Sequence, residues 1–125
     1  MIIYRIDIEG ISIEQLEGFF VGWRSPLTKR QHYDILRNSN YIVVAYDTEE
    51  SRVVGFINAL SDNINFAVIP MLEVLPEYQN RGIGTELMKR MLELLSTINC
   101  IDLTCDVEMQ GFYERSDDEV LSIKI

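Results

Sequence analysis

The sequence predicts a single α/β domain built on a mostly antiparallel mixed sheet that ends in one βαβ crossover. Three observations predict this fold. Short β-branched and aromatic runs alternate with amphipathic stretches, polar turns join consecutive runs, and one long amphipathic helix follows a buried strand. With 125 residues the chain can bury one hydrophobic core, so we expect residues 1–125 to form one domain.

The first part of the chain is predicted to form two strands separated by two helices. Ile2–Ile8 alternates apolar and polar side chains, which is typical of a half-buried strand. Ser12–Phe20 and Thr28–Arg37 are predicted helices, because each begins with a residue that is favoured as an N-cap. Tyr41–Tyr46 is rich in β-branched and aromatic residues and is predicted to be the second strand.

The second part is predicted to complete the sheet. Asp47–Ser51 is a polar turn that joins Arg52–Leu60 to the preceding strand as a hairpin. Ile64–Leu75 is a long apolar stretch that suits a buried strand, and Gly82–Thr97 has the strongest helical periodicity in the chain. The remaining predicted elements are a strand over Cys100–Val107, a short helix over Met109–Ser116 and a last strand over Val120–Ile125.

The composition argues against several classes of protein. Apolar residues make up 47% of the chain and charged residues 25%, as in an ordinary globular domain. The net charge of -9 argues against a nucleic-acid partner, because phosphate contacts require clustered Lys and Arg. No apolar run is long enough to span a bilayer, so we expect no membrane partner. Cys100 and Cys105 would face opposite sides of one strand, so we expect reduced thiols in a cytoplasmic protein.

The most informative segment is the polar turn between the strand that ends near Pro76 and the helix that begins at Gly82. A helix N-terminus leaves backbone N–H groups unpaired and carries the positive end of the helix dipole. Gly82 and Gly84 lack the Cβ atoms that would keep a phosphate away. Arg81 and the Thr85 hydroxyl can add charge and a further hydrogen bond. The turn suits a pyrophosphate, but two glycines would equally serve a tight strand-to-helix turn.

Two other phosphate-binding motifs do not fit this segment. A P-loop needs a Gly followed five residues later by Gly-Lys-Ser or Gly-Lys-Thr, and the chain contains no such run. The dinucleotide-binding fingerprint needs a third glycine at the position where Leu87 stands.

The same segment resembles the coenzyme A motif of the GNAT superfamily of N-acetyltransferases. The resemblance covers the run VLPEYQNRGIGTELMKRML, in which the family's core of Gln/Arg-x-x-Gly-x-Gly/Ala is matched by Gln79-Asn80-Arg81-Gly82-Ile83-Gly84. The predicted order of strands and helices is similar to the GNAT fold over nearly the whole chain. The resemblance implies acetyl-CoA as cosubstrate and direct acetyl transfer, in a ternary complex, to a primary amine of a small molecule or a peptide.

The resemblance also implies which residues bind acetyl-CoA. Backbone groups of one strand segment would pair with the pantetheine arm, and N–H groups of the turn would bind the pyrophosphate. The implied residues are Leu72, Glu73, Val74, Gln79, Asn80, Arg81, Gly82, Ile83, Gly84 and Thr85. Pro70 lacks a ladder donor within this strand, so it either marks a bulge at which the sheet begins to splay or ends the strand early.

Two catalytic candidates follow from the resemblance. The segment Gly111–Arg115 is similar to the helix that carries a general-acid tyrosine in the family, which makes Tyr113 the candidate that protonates the departing thiolate. The alternative for Tyr113 is a partly buried aromatic residue that caps the cofactor groove. Glu73 points away from Leu72 and Val74 by strand alternation, and either accepts the amine proton or is solvated on a sheet face. Asp106 and water are the other candidate bases.

One departure from the family leaves an alternative function open. After Tyr113 the chain continues with Ser116-Asp117-Asp118-Glu119, where the family usually has an apolar residue followed by Gly-Phe. The alternative is therefore a non-catalytic acyl-CoA-binding module. The short segment that follows Glu119 also leaves a homodimer as an open alternative to a monomer. A third reading is an unrelated globular protein whose glycines serve only the turn.

Three further expectations concern single residues. His32 is expected at the surface of the second helix. Trp23 either lines the acceptor pocket, since its loop overhangs that site in the family, or anchors the core or surface. No second His or Cys lies at ligand spacing from His32, so we expect no metal.

Overall fold

Within residues 1–103, which the computed structural model describes, the strands form one sheet with a helix on each face. The strands are β1 (Ile2–Arg5), β2 (Tyr41–Asp47), β3 (Arg52–Ser61), β4 (Phe66–Val74) and β5 (Cys100–Leu103). The helices are α1 (Lys29–Asn38) and α2 (Ile83–Leu94), and shorter 3₁₀ turns occur at Ile13–Leu16 and Pro76–Tyr78.

The sheet follows the chain from one edge to the other in the order β1-β2-β3-β4-β5. The first three pairs of strands are antiparallel, and β4 and β5 are parallel. Antiparallel neighbours need only short connections, whereas a parallel pair needs a crossover, which α2 supplies here. The predicted α/β fold, with a mostly antiparallel mixed sheet and one βαβ crossover, is confirmed.

Helix α2 packs on one face of the sheet through its apolar stripe. Gly55 of β3 lies directly beneath it, and a Cβ atom added there would lie 3.1 Å from the side chain of Leu87 and 3.4 Å from that of Ile83. The missing side chain thus lets the helix approach β3 closely. The apolar stripe expected from the helical periodicity is buried except at Leu94, which is only partly buried. Its buried residues are Ile83, Leu87, Met88, Met91, Leu92, Leu95 and Ile98.

Helix α1 covers the opposite face. The ring of His32 in α1 lies 4.3 Å from the ring of Phe56 in β3. Two residues further along β3, the Asn58 amide donates a hydrogen bond of 3.1 Å to the hydroxyl of Ser39, the residue that ends α1. Side chains alternate between faces along a strand, so Phe56 and Asn58 point away from the face on which Gly55 meets α2.

Strand β4 contains a bulge at Pro70. The register with β3 skips between Asn58 and Leu60, so that Ile69 and Pro70 together face a single residue of β3. Because β4 continues to Val74 after the bulge, the first of the two alternatives for Pro70 applies.

The N-terminal strand is shorter than the predicted Ile2–Ile8. It ends at Arg5, whose guanidinium turns back to bond the Asp7 carboxylate and, at 2.6 Å, the Glu9 carbonyl. The Asp7 carboxylate also accepts a bond of 3.1 Å from the Glu9 N–H. These local bonds form a turn that replaces the expected continuation of the sheet.

The predicted helix over Ser12–Phe20 is wrong, since the structure has only the 3₁₀ turn at Ile13–Leu16. The φ angles of Gly18, Phe20 and Gly22 are 99°, 67° and 87°, in the left-handed region. A right-handed helix cannot continue through such residues. By contrast, Thr28 caps α1 as predicted, because its hydroxyl accepts a bond of 3.0 Å from the Gln31 N–H.

The prediction that His32 lies at the surface is also wrong. Its side chain is fully buried, with 0% exposed. The polar neighbours of His32 in the sequence suggested a solvated helix face, but the buried face of α1 consists of His32 and Leu36. The burial of His32 was decided by the aromatic residues of the preceding loop and of β3 that pack around it.

Several predicted elements lie outside the described residues. They are the part of the last crossover strand after Leu103, the helix over Met109–Ser116 and the strand over Val120–Ile125. In residues 1–103, no helix is long and apolar enough to cross a membrane.

Candidate active site

The turn before α2 presents backbone N–H groups that the described part of the protein leaves unpaired. The chain passes through left-handed conformations at Asn80 and Gly82, with φ of 65° and 83°. Gly82 is the N-cap, and its carbonyl accepts from the Glu86 N–H at 3.0 Å. Within residues 1–103, no hydrogen-bond acceptor meets the N–H groups of residues 82–85. Such donors at a helix N-terminus suit an anion.

The two glycines of this turn have different reasons to be glycine. Gly82 has a left-handed backbone, which an L side chain rarely adopts, so the turn alone accounts for it. Gly84 lies in the first turn of α2 and its φ is not positive. The backbone conformation therefore does not require glycine at position 84, and close approach of a ligand would account for the missing side chain.

Side chains of the turn fix its position on the sheet. The Tyr78 hydroxyl donates a bond of 2.7 Å to the carboxylate of Asp47, a buried residue at the end of β2. The Gln79 amide donates a bond of 3.0 Å to the Val74 carbonyl at the end of β4. The Arg81 guanidinium donates 3.1 Å to the Glu77 carbonyl and lies 5.0 Å from the centre of the Tyr78 ring.

The Tyr78–Asp47 bond also shifts the ionisation of both groups. The bond from Tyr78 has the largest effect and lowers the pKa of Asp47. Burial opposes this effect, and bonds from the N–H groups of Glu49 and Glu50 lower the pKa further. The same bond raises the pKa of Tyr78. Asp47 is therefore an anion at neutral pH, and the bond that holds the turn persists there.

Strand β4 offers backbone groups on its edge away from β3. The Leu75 N–H donates to the Val54 carbonyl at 2.9 Å, and Glu73 pairs with Phe56 in the same register. Because backbone groups alternate between the two edges of a strand, Leu72 and Val74 direct theirs to the opposite edge. On that edge, the pairing of β4 with β5 is described only as far as Ile69, which lies opposite Leu103. The geometry thus favours Leu72 and Val74 over Glu73 for backbone contacts with a ligand, although Gln79 already bonds the Val74 carbonyl.

The side chain of Glu73 is held on the α1 face of the sheet. Its Oε2 accepts a hydrogen bond of 2.9 Å from the Phe20 N–H. Its Oε1 is buried and has no hydrogen-bond partner among the described residues. Burial raises the pKa of the Glu73 carboxyl, and the bond from Phe20 opposes that rise in part. Within residues 1–103, Glu73 therefore has one carboxylate oxygen held by a hydrogen bond and one without a partner.

An aromatic cluster supports the Phe20 contact. The ring of His32 lies 5.1 Å from the ring of Phe19, 4.9 Å from that of Phe20 and 4.3 Å from that of Phe56. Both His32 nitrogens lack hydrogen-bond partners in residues 1–103. Burial lowers the pKa of His32 to about 4, so the ring is neutral at physiological pH.

Comparison with known proteins identifies the family. The model of the GNAT acetyltransferase family matches residues 8–117, which is most of the chain. The chain belongs to the GNAT acetyltransferase family. As a GNAT protein it has the expected fold and belongs to a family whose members transfer acetyl groups.

Three relatives show how this GNAT chain compares with others. A crystal structure of a provisionally assigned acetyltransferase from Deinococcus radiodurans R1 is 41% identical, with a TM-score of 0.87, over 91% of this chain and 79% of that one. The "Uncharacterized N-acetyltransferase ycf52" of Porphyra purpurea is 29% identical over 90% of this chain and 68% of its own length. The chloroplastic GCN5-related N-acetyltransferase 1 of Arabidopsis thaliana is 29% identical over 87% of this chain and 57% of its own length.

The structure brings together most of the site residues predicted from the sequence. Leu72, Glu73 and Val74 lie on β4, and residues 79–85 form the turn and the start of α2. Tyr113 and Asp106 lie outside the described residues, so their roles remain predictions. In the described range, no three His, Cys, Asp or Glu side chains are grouped to hold a metal.

Sequence reasoning missed Phe20 and His32 as neighbours of the site. The glycines at positions 18 and 22, on either side of the Phe19-Phe20 pair, were the available signal of a turn in place of a helix. No local pattern indicated that Phe20 would bond a carboxylate 53 residues away in the chain.

Proposed function

We propose that the protein is an N-acetyltransferase that moves the acetyl group of acetyl-CoA to a primary amine by direct transfer in a ternary complex. One observation carries the proposal. A single strand, β4, offers backbone groups to a ligand at Leu72 and Val74, and it carries the Glu73 carboxylate, whose Oε1 has no hydrogen-bond partner in residues 1–103. An extended ligand bound along the edge and an amine bound at the carboxylate would therefore meet at β4.

The residues present fit acetyl-CoA. The N–H groups of residues 82–85, which have no acceptor among residues 1–103, suit its pyrophosphate, and the edge of β4 that faces away from β3 suits the amides of its pantetheine arm. Arg81 adds a positive charge beside the turn. Acetyl-CoA supplies an acetyl group activated as a thioester. Family membership supports this choice of cosubstrate, since GNAT proteins in general use it.

Glu73 is the proposed proton acceptor. An amine reacts only after it has lost its proton. Oε1 of Glu73, which has no partner in the described part of the chain, would accept this proton while Oε2 remains bonded to Phe20. The raised pKa of Glu73 makes the carboxylate a stronger base than an exposed glutamate. Tyr113 is retained as the residue that returns a proton to the departing thiolate.

Direct transfer is proposed over a route through Cys100. Cys100 pairs with Phe66 at the start of β4, whereas Glu73 lies seven residues further along that strand. At the rise of an extended strand this separates the thiol from the carboxylate by roughly 20 Å. An acetyl group on Cys100 would thus be remote from the proposed base.

The decisive experiment combines ligand-induced stabilisation with turnover. Wild type and Gly84→Val are titrated with acetyl-CoA in a thermal-shift assay, and Lys89→Val, on the exposed side of the same helix, is the matched control. Release of the free CoA thiol is then followed with a panel of primary amines. We expect wild type and the control to be stabilised by about 2.7 kcal/mol at 100-fold saturation, and Gly84→Val to lose most of this.

Each other outcome has a definite meaning. If saturating acetyl-CoA does not shift wild type, the proposed cosubstrate is wrong. If the shift occurs and no amine releases thiol, the chain is a non-catalytic acyl-CoA-binding module.

A further inference from the structure

The loop from Glu17 to Phe20 follows a path that its own backbone does not favour. Gly18 and Phe20 have φ angles of 99° and 67°, in the left-handed region. That region is unfavourable for a residue with a side chain, and Phe20 adopts it although its side chain is large. The N–H group of Phe20 bonds Glu73 at 2.9 Å from this conformation. Contacts with the rest of the protein are therefore needed to hold the loop in place.

Arg52 holds the loop from the start of β3. Its Nη2 donates a hydrogen bond of 2.8 Å to the Glu17 carbonyl, three residues before Phe20. Arg52 is the first residue of β3, and its pairing with Asp47 of β2 fixes its backbone in the sheet. The bond therefore ties a paired strand to the main chain of the loop. A charged donor strengthens such a bond.

Gly18 lets the loop approach β4 at the same point. A Cβ atom added to Gly18 would lie 3.2 Å from Cδ2 of Leu75 and 3.3 Å from Nη2 of Arg52. Leu75 directly follows β4 and is buried, and its N–H donates a bond of 2.9 Å to the Val54 carbonyl. The loop is thus placed against both the Arg52 guanidinium and the end of β4, two residues after Glu73.

A second cation contacts Glu17 in a different way. Nζ of Lys29 lies 3.0 Å from the Glu17 carboxylate, and the two side chains are 45% and 67% exposed. Exposed ion pairs of this kind contribute little to structure. Arg52 and Lys29 therefore bond the same residue, one through its main chain and the other through an exposed side chain. This makes Lys29 a matched control for Arg52.

We propose that Arg52 is a positioning residue for acetyl transfer, because its bond to the Glu17 carbonyl keeps the Phe20 N–H on the Glu73 carboxylate. The inference rests on the proposed function and names a residue that acts on the reaction through Glu73. The bond from Phe20 opposes the rise in the pKa of Glu73 that burial causes, so loss of this bond raises that pKa further. Within residues 1–103, the charge of Arg52 makes no resolved contribution to the pKa of Glu73, so the effect passes through the loop.

The first test measures the bond between Phe20 and Glu73 without turnover. The variants of the full chain are Arg52→Met, which removes the guanidinium, Arg52→Lys, which keeps a cationic donor, and Lys29→Met as the control. Hydrogen exchange of the Phe20 amide is followed by NMR. We expect exchange to be about tenfold faster in Arg52→Met, closer to wild type in Arg52→Lys and unchanged in Lys29→Met. Unchanged exchange in Arg52→Met overturns the inference.

The second test measures the pH dependence of kcat with saturating acetyl-CoA and the same primary amine for every variant. A proton acceptor works only when it is deprotonated, so the acid limb of kcat reports the pKa of Glu73 in the complex. We expect this limb to move to higher pH by about one unit in Arg52→Met, which lowers kcat about tenfold at a fixed pH on the limb. Arg52→Lys should restore most of the wild-type profile. A lower kcat with an unmoved acid limb would assign Arg52 a merely structural role and overturn the inference.

Gly18→Ala disturbs the loop by an independent route that leaves Arg52 in place. The added methyl group would meet Leu75 and the Arg52 guanidinium at a strained φ. We expect the same two changes, namely faster exchange of the Phe20 amide and an acid limb at higher pH. If Arg52→Met fails to fold, wild-type values of both quantities in Gly18→Ala overturn the inference.

The two proposals fail in different ways. If Phe20 exchange is faster in Arg52→Met but wild type acetylates no amine, the proposed function is refuted and the positioning of Glu73 by Arg52 stands. If wild type acetylates an amine but Arg52→Met keeps the wild-type exchange or the wild-type acid limb, the positioning role is refuted and the proposed function stands.

Discussion

At the edge of β4 that faces away from β3 and at the start of α2, the candidate site is made of backbone groups, whereas on the α1 face it is made of side chains. The first region consists of the edge groups of Leu72 and Val74 and the N–H groups of residues 82–85. The second consists of Glu73, the Phe20 N–H that holds it and the buried ring of His32. The two regions share β4 and little else.

This difference separates two ways of building a site. Backbone donors need a particular chain path, which a few glycines and a helix start specify locally. A buried carboxylate needs neighbours from distant parts of the chain, because desolvation would otherwise neutralise it. Variants of the first region should therefore change ligand binding, and variants of the second should change chemistry and pH dependence.

The largest expected effect is that of Glu73→Gln on turnover. Glutamine keeps the shape and one hydrogen-bond acceptor for Phe20 but cannot accept a proton, so kcat/KM should fall by about 10²- to 10⁴-fold. The stabilisation by acetyl-CoA should stay as in wild type. Glu77→Gln, an exposed carboxylate four residues further on, is the matched control. Turnover of Glu73→Gln at the wild-type rate would show that water or another residue is the base.

The next effect concerns His32 and the pH dependence of stability. The folded pKa of about 4 lies below the ordinary 6.5, so the unfolded chain takes up this proton first as the pH falls. His32 should therefore cost the protein up to about 3 kcal/mol of unfolding free energy between pH 6.5 and 4. Glu73, with its raised pKa, acts in the opposite sense as the pH falls.

His32→Phe isolates the histidine contribution. Its unfolding free energy, measured by urea denaturation between pH 4 and pH 7.5, should depend less on pH than that of wild type. Equal pH dependence in the two proteins would mean that the ring is protonated or hydrogen-bonded in the folded state.

A smaller pair of effects distinguishes the two glycines of the turn. Gly82→Ala should destabilise the free protein by about 1 kcal/mol, because an L residue is strained at its φ. Gly84→Ala should stabilise the free protein by about 0.5 kcal/mol, since alanine is a better helix former, and yet weaken acetyl-CoA binding. Urea denaturation and a thermal-shift titration measure the two quantities. Undiminished acetyl-CoA affinity in Gly84→Ala would remove the argument for close approach at that residue.

The smallest expected effect is that of Tyr78→Phe. The change removes the bond that ties the turn to β2, so acetyl-CoA affinity should fall by less than it does in Gly84→Val. The pKa of Asp47, which that bond lowers, should move back up toward its ordinary value. An NMR titration of the Asp47 carboxyl checks the pKa. An unchanged value would mean that the other donors to Asp47 suffice.

The successes and errors of the sequence predictions follow the same division. The turn and helix start near Gly82, the α2 stripe and the hairpin of β2 and β3 were predicted correctly, because each depends on residues close together in the chain. The helix expected over Ser12–Phe20 and the exposed His32 were wrong. Both errors lie where local polarity and spacing competed with burial against β3.

By itself, the sequence determined the α/β order of the chain, the glycine turn at Gly82 and Gly84 before the long helix, and the position of Glu73 on the strand that leads to this turn. Short-range rules suffice for these features, since glycine conformation, helix periodicity and strand alternation act over a few residues. Only the tertiary structure decided that Phe20 turns its N–H to Glu73 and that His32 is enclosed by aromatic rings. Those contacts join residues more than 20 positions apart or depend on a left-handed turn, and their energies come from desolvation in a packed interior that no local pattern records.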